Sequence, residues 1–384
     1  MLNINISTKI SIGNSIIEDA ISELARQYNN IFVVTGGNRT SDSKGVKKII
    51  LELKKNGTPH YLFTGISSNP TYDAIVRGVS LIKDKGFDCI LSVGGGSVHD
   101  SAKLMAVLTN QEHQITDLFV ESQGYKLITP DIIPVYTFPT IVGTGAEISP
   151  ASLVRHDNHK RIVFSPHMFP VSAFYDLEVI HLDNSQLCML TGFDAYIQSL
   201  EAFVSKQDNL WSDMLAKAGM KNALKGLFLL SKEPTSSIAK EMLVIASIQG
   251  LLAVAQSSVG AIHALSDPLS GIFNVHHGTA LAMLASTVVK TNIRNGCINY
   301  NIPASLFSEV FPGKYSADDL PSLIDKFLRE IMSNWDDIRP KIELGETSID
   351  TLVNDSENPD MAGNPVELSA TDIEDIFRNT LRLS

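Results

Sequence analysis

Two stretches in the second half of the chain hold side chains that could bind a divalent metal ion. In TGFDAYIQSLEAF, Asp194 and Gln198 are four residues apart, so on a helix they share one face. The stretch GAIHALSDPLSGIFNVHHG adds four polar candidates, His263, Asp267, His276 and His277. A carboxylate and two imidazoles that converge on one point would suit Fe²⁺ or Zn²⁺ and leave a coordination position open to a substrate oxygen.

The same residues also fit a purely structural role. A histidine in a helical protein is more often a hydrogen-bonded core or surface residue than a metal ligand. His276 and His277 are adjacent, so their rings should point in different directions and only one of them can easily join a shared site. Spacing alone therefore leaves both interpretations open.

A glycine cluster in the first half indicates a second kind of site. Gly94-Gly95-Gly96-Ser97 stands between the apolar run DCILSV and a helical pattern. Glycines let backbone N–H groups approach a pyrophosphate, and the start of the next helix adds a partial positive charge. The cluster is not the G-x-G-x-x-G fingerprint, so a structural turn is the alternative. Asp100 and Lys103 follow at helical spacing, as surface residues or as cofactor contacts.

A second polar loop, FPTIVGTGAEIS, follows another apolar run. Thr140, Thr144 and Ser149 offer hydroxyl groups, and the two glycines between them allow a close backbone approach. Ligands of open α/β sheets bind at the carboxyl ends of the strands. Two such loops at strand ends are therefore more informative than one.

The elements that position these residues change in character near residues 180–185. Before that point, apolar runs alternate with helical patterns and predict parallel strands at 31–36, 60–66, 88–93 and 132–140. After it, the patterns predict successive helices without strands, the later ones around 278–292, 318–334 and 370–383. We expect an α/β dinucleotide-binding domain over residues 1–182 and an all-α metal-binding, catalytic domain over 183–384.

The composition limits the possible partners. The 384 residues are 44% hydrophobic and 19% charged, as in ordinary globular proteins. A net charge of −11 disfavours nucleic acid as a partner. The sequence shows neither a targeting pattern nor about 18 uninterrupted apolar residues, so we expect a cytoplasmic protein without a membrane partner. The three scattered cysteines predict neither disulfides nor a thiolate metal site.

Taken together, these segments resemble the iron-containing alcohol dehydrogenase family, which is related to glycerol dehydrogenase and dehydroquinate synthase. The resemblance runs from about residue 30 to the C-terminus. It is carried by GGGSVHDSAK (94–103), PTIVGTGAEIS (139–149), GFDAYIQSLEAF (192–203), HALSDPLSGIFNVHHG (263–278) and NPVELSATDI (364–373). It implies a dehydroquinate synthase-like fold, in which a Rossmann-like parallel sheet domain precedes an all-α domain.

The resemblance also implies roles for individual residues. The glycine cluster and Ser97 would cradle the pyrophosphate, and the second loop would line the adenine and nicotinamide ends. Lys160 matches a lysine near the nicotinamide ribose. The full expected cofactor-binding set is Gly36, Gly37, Arg39, Asn69, Gly94, Gly95, Gly96, Ser97, Asp100, Thr140, Thr144, Ser149 and Lys160.

In the helical half, Asp194, His263 and His277 match metal-ligand positions of the family. This chain has Gln198 where the common pattern has a second ligand histidine, and Gln198 could ligate weakly through its carbonyl oxygen. It has Asp267 where the pattern has a further histidine near the substrate. Asp267 could act as acid or base, bind substrate hydroxyls, or form a structural salt bridge. His263, His277 and Asp267 are the expected catalytic residues.

The first predicted strand bears on the choice of cofactor. Family members that prefer NAD often carry an acidic residue just after this strand, which binds the ribose 2′-hydroxyl. Here the segment is VVTGGNRTS, with no acid before Asp42, and Arg39 is available for a 2′-phosphate. NADP is therefore favoured over NAD, although Arg39 could also be a solvated loop residue.

The expected function is a metal-dependent oxidoreductase that interconverts an alcohol and an aldehyde or ketone with NAD(P), as an NADPH-dependent aldehyde reductase and a homodimer. One alternative is a cyclase or lyase like dehydroquinate synthase. Such enzymes need a basic phosphate-binding set, and residues 192–278 contain several lysines but no arginine. Another alternative is a non-catalytic nucleotide-binding relative.

Overall fold

The computed structural model describes residues 4–67, 70–156, 159–180, 185–344, 347–356 and 358–382. The chain separates into two compact units, one from Asn5 to Asn184 and one from Ser185 to Ser384. The first unit is α/β, and the described part of the second is helical. This is the fold class that the sequence predicts.

The first unit is built on a six-stranded sheet in which every neighbouring pair of strands is parallel. Its strands are β1 (Lys9–Gly13), β2 (Ile31–Gly36), β3 (His60–Ile66), β4 (Cys89–Gly94), β5 (Val135–Pro139) and β8 (Ser172–Asp176). A separate antiparallel pair consists of β6 (Ala151–His156) and β7 (His159–Phe164). The four predicted strands correspond to β2–β5. The two further strands of the sheet, β1 and β8, were not predicted.

Helices cover both faces of this sheet. They are α1 (Ile16–Gln27), α2 (Asn38–Ser41), α3 (Lys44–Lys55), α4 (Tyr72–Lys85) and α5 (Gly96–Asn110). Successive side chains of a strand point to opposite faces. Accordingly, Ile31 and Val33 of β2 pack with α1 and α3, whereas Phe32 and Val34 pack with α4 and α5. Burial on both faces explains why the strands read as continuous apolar runs.

The strand order β1-β8-β5-β4-β2-β3 determines where a ligand can bind. From β2 the chain moves outward to β3, then crosses back over β2 and continues inward through β4 and β5. The direction of winding therefore reverses between β2 and β4. The carboxyl ends of strands at such a reversal form the usual ligand crevice of open α/β sheets.

The second unit consists of ten α-helices in its described part, joined by short 3₁₀ turns. They are α6 (Ser185–Val204), α7 (Leu210–Lys232), α8 (Ser237–Val254), α9 (Ala261–Phe273), α10 (His277–Arg294), α11 (Asn301–Ser305), α12 (Leu320–Ile331), α13 (Trp335–Ile338), α14 (Ile349–Asn354) and α15 (Ala370–Leu381). Helix α9 is not among the predicted helices. It contains Pro268, a residue that normally ends a helix or kinks it.

Helix α8 is long and apolar enough, by length and composition, to cross a membrane. The sequence contains no such uninterrupted run, because Lys240 and Glu241 lie within the helix. In the structure α8 packs against α6 and α7, and Leu243, Val244 and Ala246 are fully buried. Packing within the helical unit accounts for part of its apolar composition.

A buried ammonium group holds the loop that follows β5. The Lys103 side chain is fully buried, and its Nζ lies 3.1 Å from Asp100 Oδ1. It donates to the carbonyl oxygens of Ala146 and Ser149, at 2.9 and 3.1 Å, and to that of Ala151. Asp100 thus forms a buried ion pair with Lys103, as a buried carboxylate needs a neighbouring cation, and its expected contact with the cofactor stays a prediction.

We expect Lys103→Met to destabilise the protein by about 3–5 kcal/mol, because it leaves Asp100 buried without its cation. Urea unfolding followed by circular dichroism measures the change. The double variant Lys103→Met/Asp100→Asn should recover part of the loss. Lys47→Met is the control, since Lys47 forms an exposed ion pair with Asp42, of a kind worth at most about 1 kcal/mol. Equal unfolding free energies for Lys103→Met and Lys47→Met would contradict this role.

Candidate metal centre and dinucleotide-binding loops

Three side chains of the helical unit converge on one point. Asp194 on α6, His263 on α9 and His277 at the start of α10 each offer a ligand atom, and these atoms lie within 4.8 Å of one another. Asp194 and His263 are buried, and His277 is half-buried. One carboxylate and two imidazoles are a donor set that suits a divalent transition metal.

The helices explain why these residues meet. Asp194, Gln198 and Glu201 recur at i, i+4 and i+7 on α6, so all three occupy one face of that helix. His277 is the first residue of α10 and His276 is its N-cap, so the adjacent rings diverge. Of these two histidines, the structure brings only His277 into the group.

Hydrogen bonds orient both imidazoles for metal binding through Nε2. Glu201 Oε2 lies 2.5 Å from His263 Nδ1, so that nitrogen carries a proton and donates it to the carboxylate. The hydroxyl of Ser266 donates to the backbone oxygen of His263 at 2.8 Å, and its oxygen lies 3.2 Å from His277 Nδ1. Because the hydroxyl proton is already used, Ser266 accepts from His277 Nδ1. When each ring is neutral its lone pair is then on Nε2, as in many metal sites whose histidines donate to a second group.

The charge of the site also requires a cation. His263 Nε2 lies 3.4 Å from Asp194 Oδ1, so the ring is placed between two buried carboxylates. Burial alone lowers the pKa of His263, but the charges of Glu201 and Asp194 and their hydrogen bonds outweigh it and raise the pKa to about 10. Either a proton on Nε2 or a metal ion bound there supplies the positive charge that the two carboxylates require. The residues present therefore fit a divalent metal ion.

Gln198 and Asp267 are the other two polar residues expected at this site. The side-chain amide of Gln198 donates to Asp194 Oδ1 at 3.1 Å, so its nitrogen, rather than its carbonyl oxygen, faces the ligand carboxylate. This contact orients Asp194. Asp267 lies one helical turn after His263, is half-buried, and is outside the converging group.

Sequence reasoning missed Glu201. This residue is 4% exposed, and its two carboxylate oxygens contact His263 and the backbone N–H of Ile262. The only signal in the sequence is its place on the Asp194 face of one helix, seven residues after Asp194. Because Glu201 acts on a residue of another helix, its role depends on packing that spacing does not show.

The α/β unit brings the expected cofactor loops to one edge of its sheet. The neighbouring parallel strands β2, β4 and β5 end at Gly36, Gly94 and Pro139, in register with one another. The loops after all three strands therefore begin at the same edge of the sheet, and those after β2 and β4 flank the winding reversal. Thr140 N donates to Gly94 O at 2.9 Å and ties the second loop to the glycine cluster.

The glycine cluster leaves room for a ligand at the start of α5. A Cβ atom added at Gly95 would meet no other atom within 4 Å, whereas one at Gly96 would lie 2.8 Å from Thr144 Oγ1. Gly96 thus allows the two loops to pack closely, and Gly95 borders open space. Helix α5 begins at this point without a side-chain N-cap hydrogen bond. This arrangement fits a pyrophosphate.

The other expected cofactor residues take several positions. Gly37 is exposed after β2, and Ser97 is half-buried in the first turn of α5. Ser149 is mostly buried and uses its hydroxyl to accept from Ala151 N at 3.1 Å. Asn69 lies outside the described residues, and so do the side chains of Arg39 and Lys160.

Comparison with known proteins identifies the family. Residues 7–177 match the family described as iron-containing alcohol dehydrogenase, and residues 188–381 match the C-terminal part of the Fe-containing alcohol dehydrogenase family. The chain belongs to the iron-containing alcohol dehydrogenase family. The resemblance that the sequence motifs indicate is thus confirmed, and with it an oxidoreductase family that uses a divalent metal ion and NAD(P).

Individual relatives differ in their named substrates. The chain is 26% identical to alcohol dehydrogenase 4 of Schizosaccharomyces pombe, over 87% of this chain and 78% of that protein. It is 30% identical to 4-hydroxybutyrate dehydrogenase of Cupriavidus necator, over 60% of this chain and 62% of that protein. A crystal structure of an iron-containing alcohol dehydrogenase from Thermotoga maritima superposes over the full length of both chains, with a TM-score of 0.84 and 23% identity, and this supports the fold.

We expect metal binding to release about one proton per chain between pH 7 and 9, because His263 without a bound ion has a pKa of about 10 and the metal requires a deprotonated Nε2. The proton on His263 stabilises the metal-free protein below its unfolded pKa of about 6.5, and this stabilisation is lost as the pH rises through about 10. Apparent metal affinity should therefore rise about tenfold per pH unit in this window.

Titration calorimetry with Zn²⁺ as a redox-inert probe, in buffers of different ionisation enthalpy, counts the released protons. The variant His113→Gln serves as a control, since His113 lies in the other unit and should leave the count unchanged. A count near zero at pH 7.5 in the unaltered protein would show that His263 is already neutral there.

Proposed function

We propose that the protein is an NADPH-dependent aldehyde reductase that holds one Fe²⁺ ion through Asp194, His263 and His277. The convergence of these three side chains, with both imidazoles oriented by other groups, carries the proposal. A bound divalent ion would polarise the substrate oxygen as a Lewis acid, and the nicotinamide would supply the hydride.

The residues of the chain would then perform the remaining tasks. Glu201 and Ser266 hold the imidazoles in the tautomer that leaves Nε2 for the metal, and Gln198 holds Asp194. Reduction of an aldehyde also needs a proton on the product oxygen. Asp267 is our candidate for this step, since it is a titratable group one turn after His263 on the same helix.

The preference for NADPH is supported by the segment after β2. Three positions after Gly36, the chain carries Arg39, and the first acidic residue is Asp42. A guanidinium group can bind the 2′-phosphate with two parallel hydrogen bonds, whereas a carboxylate there would repel it. The glycine cluster and the loop after β5 would hold the pyrophosphate.

Small alcohols and aldehydes are the proposed partners, and we propose a cytoplasmic homodimer that acts without nucleic acid or membrane. The net charge of −11 supports the absence of nucleic acid. Light scattering after gel filtration measures the oligomeric state.

A polar substrate is supported by the amide of Gln198 and the carboxylate of Asp267 around the metal ligands.

Removal of the metal should abolish aldehyde reduction, because the proposed reaction needs a Lewis acid at the substrate oxygen. We expect activity to fall by more than about 100-fold after chelation and to return with Fe²⁺ under anaerobic conditions, and we would compare Zn²⁺ in parallel. The measurement is NADPH oxidation with a panel of aldehydes, together with NADP reduction with alcohols that include 4-hydroxybutyrate. Full activity in protein that is free of metal by elemental analysis would refute the proposal.

Adjacent histidines provide a matched pair of variants for the same proposal. His277→Ala should weaken Fe²⁺ binding by more than about 100-fold, since even the outer partners of metal ligands contribute about 10- to 100-fold. His276→Ala should retain the metal, because His276 is outside the converging group. Similar metal contents in the two variants would contradict the ligand assignment.

Net consumption of NADPH also separates a reductase from a cyclase that recycles its cofactor.

Arg39→Ala should raise the KM for NADPH about 10- to 100-fold and change that for NADH little. A hydrogen bond to a charged group contributes about 1.5–3 kcal/mol, and NADH lacks the phosphate that receives it. Initial-rate kinetics with both cofactors measure the change. Arg77→Ala, at an exposed position of α4, is the control. Parallel increases in KM for both cofactors would indicate that Arg39 does not select the phosphate.

A further inference from the structure

Helix α9, which carries His263, lacks several of its own hydrogen bonds. Its N-cap is Gly260, which has no side chain to bond the first amides of the helix. Pro268 lies inside the helix and has no N–H group, so it cannot donate to the carbonyl of Ala264 four residues earlier. A helix with both defects should be poorly ordered around His263 unless other groups supply the missing partners.

Three side chains from outside the helix supply these partners. Glu201 Oε1 accepts from Ile262 N at 2.6 Å, and Asn364 Oδ1 accepts from Ala261 N at 3.3 Å. Asn358 Nδ2 donates to Ala264 O at 3.1 Å, which is the carbonyl that Pro268 leaves without a helical donor. The backbone on both sides of His263 is thus held by side chains of α6 and of the segment 358–366.

Glu201 joins this support directly to the metal site. One of its oxygens bonds the backbone of Ile262, and the other bonds the Nδ1 of His263. A single carboxylate therefore fixes the start of α9 and the ring that projects from it. A shift of the helix would change both contacts together.

The segment 358–366 is itself held firmly against the start of α9. Asn364 is 2% exposed and exchanges hydrogen bonds of 3.0 and 2.9 Å with Asn292 of α10. A Cβ atom at Gly363 would overlap Val259 O, so only glycine allows this approach. Asn358 and Asn364 lie 94 and 103 residues from their partners in α9, so only the folded chain brings them there.

We propose that Glu201, Asn358 and Asn364 are positioning residues of the metal centre, which replace the missing hydrogen bonds of α9 and thereby set the geometry and affinity of the site. The inference rests on the proposed metal-dependent function. It assigns part of the metal site to a C-terminal segment that contains no ligand. Hydrogen-bond partners of metal ligands commonly contribute about 10- to 100-fold to metal affinity.

The test uses the full-length protein, freed of metal and titrated with Zn²⁺ against a coloured chelator and with Co²⁺ by visible absorption. We expect Glu201→Gln to weaken Zn²⁺ binding about 10- to 100-fold and to shift the d–d bands of Co²⁺. Asn358→Ala, which removes only the donor to Ala264 O, should weaken Zn²⁺ binding by about threefold or more. Unfolding midpoints of the metal-free variants show that each one is folded.

Matched controls are Glu309→Gln and Asn379→Ala, which alter the same residue types in the same unit at a lysine ion pair and on α15. Both should bind Zn²⁺ and Co²⁺ like the unaltered protein. If Glu201→Gln and Asn358→Ala also do so, or lose stability while the folded protein keeps its Co²⁺ spectrum and Zn²⁺ affinity, the positioning role is refuted. Failure of the unaltered protein to bind any divalent ion would instead overturn the proposed function.

Discussion

Two carboxylates buried beside one imidazole are the constraint on which the helical unit depends. Asp194 and Glu201 are almost fully buried, and His263 lies between them. Burying charge without compensation costs several kcal/mol per ion, so this arrangement is stable only with a cation at its centre. In a dehydrogenase of this family the same cation can serve catalysis. The buried carboxylates need a positive charge and the reaction needs a metal ion, and one cation at this position can serve both.

The α/β unit meets a similar requirement in a different way. Asp100 and Glu147 are buried near the loop after β5, and the ammonium group of Lys103 lies among them. Burial raises the pKa of Glu147 to about 7, while the hydroxyl of Tyr175 donates to its carboxylate. Here the cation is a lysine of the chain itself. It stabilises the conformation of a loop and is given no role in the reaction. This loop is the one tied to the glycine cluster through Thr140.

Helix α9 shows how function can depend on a local defect. A helix with a side-chain N-cap and no internal proline would need neither Glu201 nor Asn358 to complete these backbone hydrogen bonds. Because Gly260 and Pro268 leave partners missing, side chains from α6 and from the C-terminal segment take their place. The position of His263 then depends on the packing of three separate parts of the unit. This dependence explains how the segment 358–366, which contains no proposed ligand, can affect the geometry of the metal site.

Local sequence patterns predict the fold class, four of the six strands of the sheet, most of the longer helices and the family. These features follow from local periodicity and short motifs, which neighbouring residues carry. The spacing of Asp194, His263 and His277 allowed a metal site, and the family resemblance made it specific. The glycine cluster likewise indicates a phosphate-binding turn from its residue types alone.

The contacts of each polar residue, in contrast, depend on the folded arrangement of the chain. This arrangement paired Asp100 with Lys103, and it directed the amide of Gln198 toward Asp194. It also revealed Glu201 and Asn358, whose partners are 61 and 94 residues away in the chain. The physical reason is that hydrogen bonds and charge pairs depend on distances of a few ångströms between side chains. Sequence separation does not determine such distances once the chain has folded.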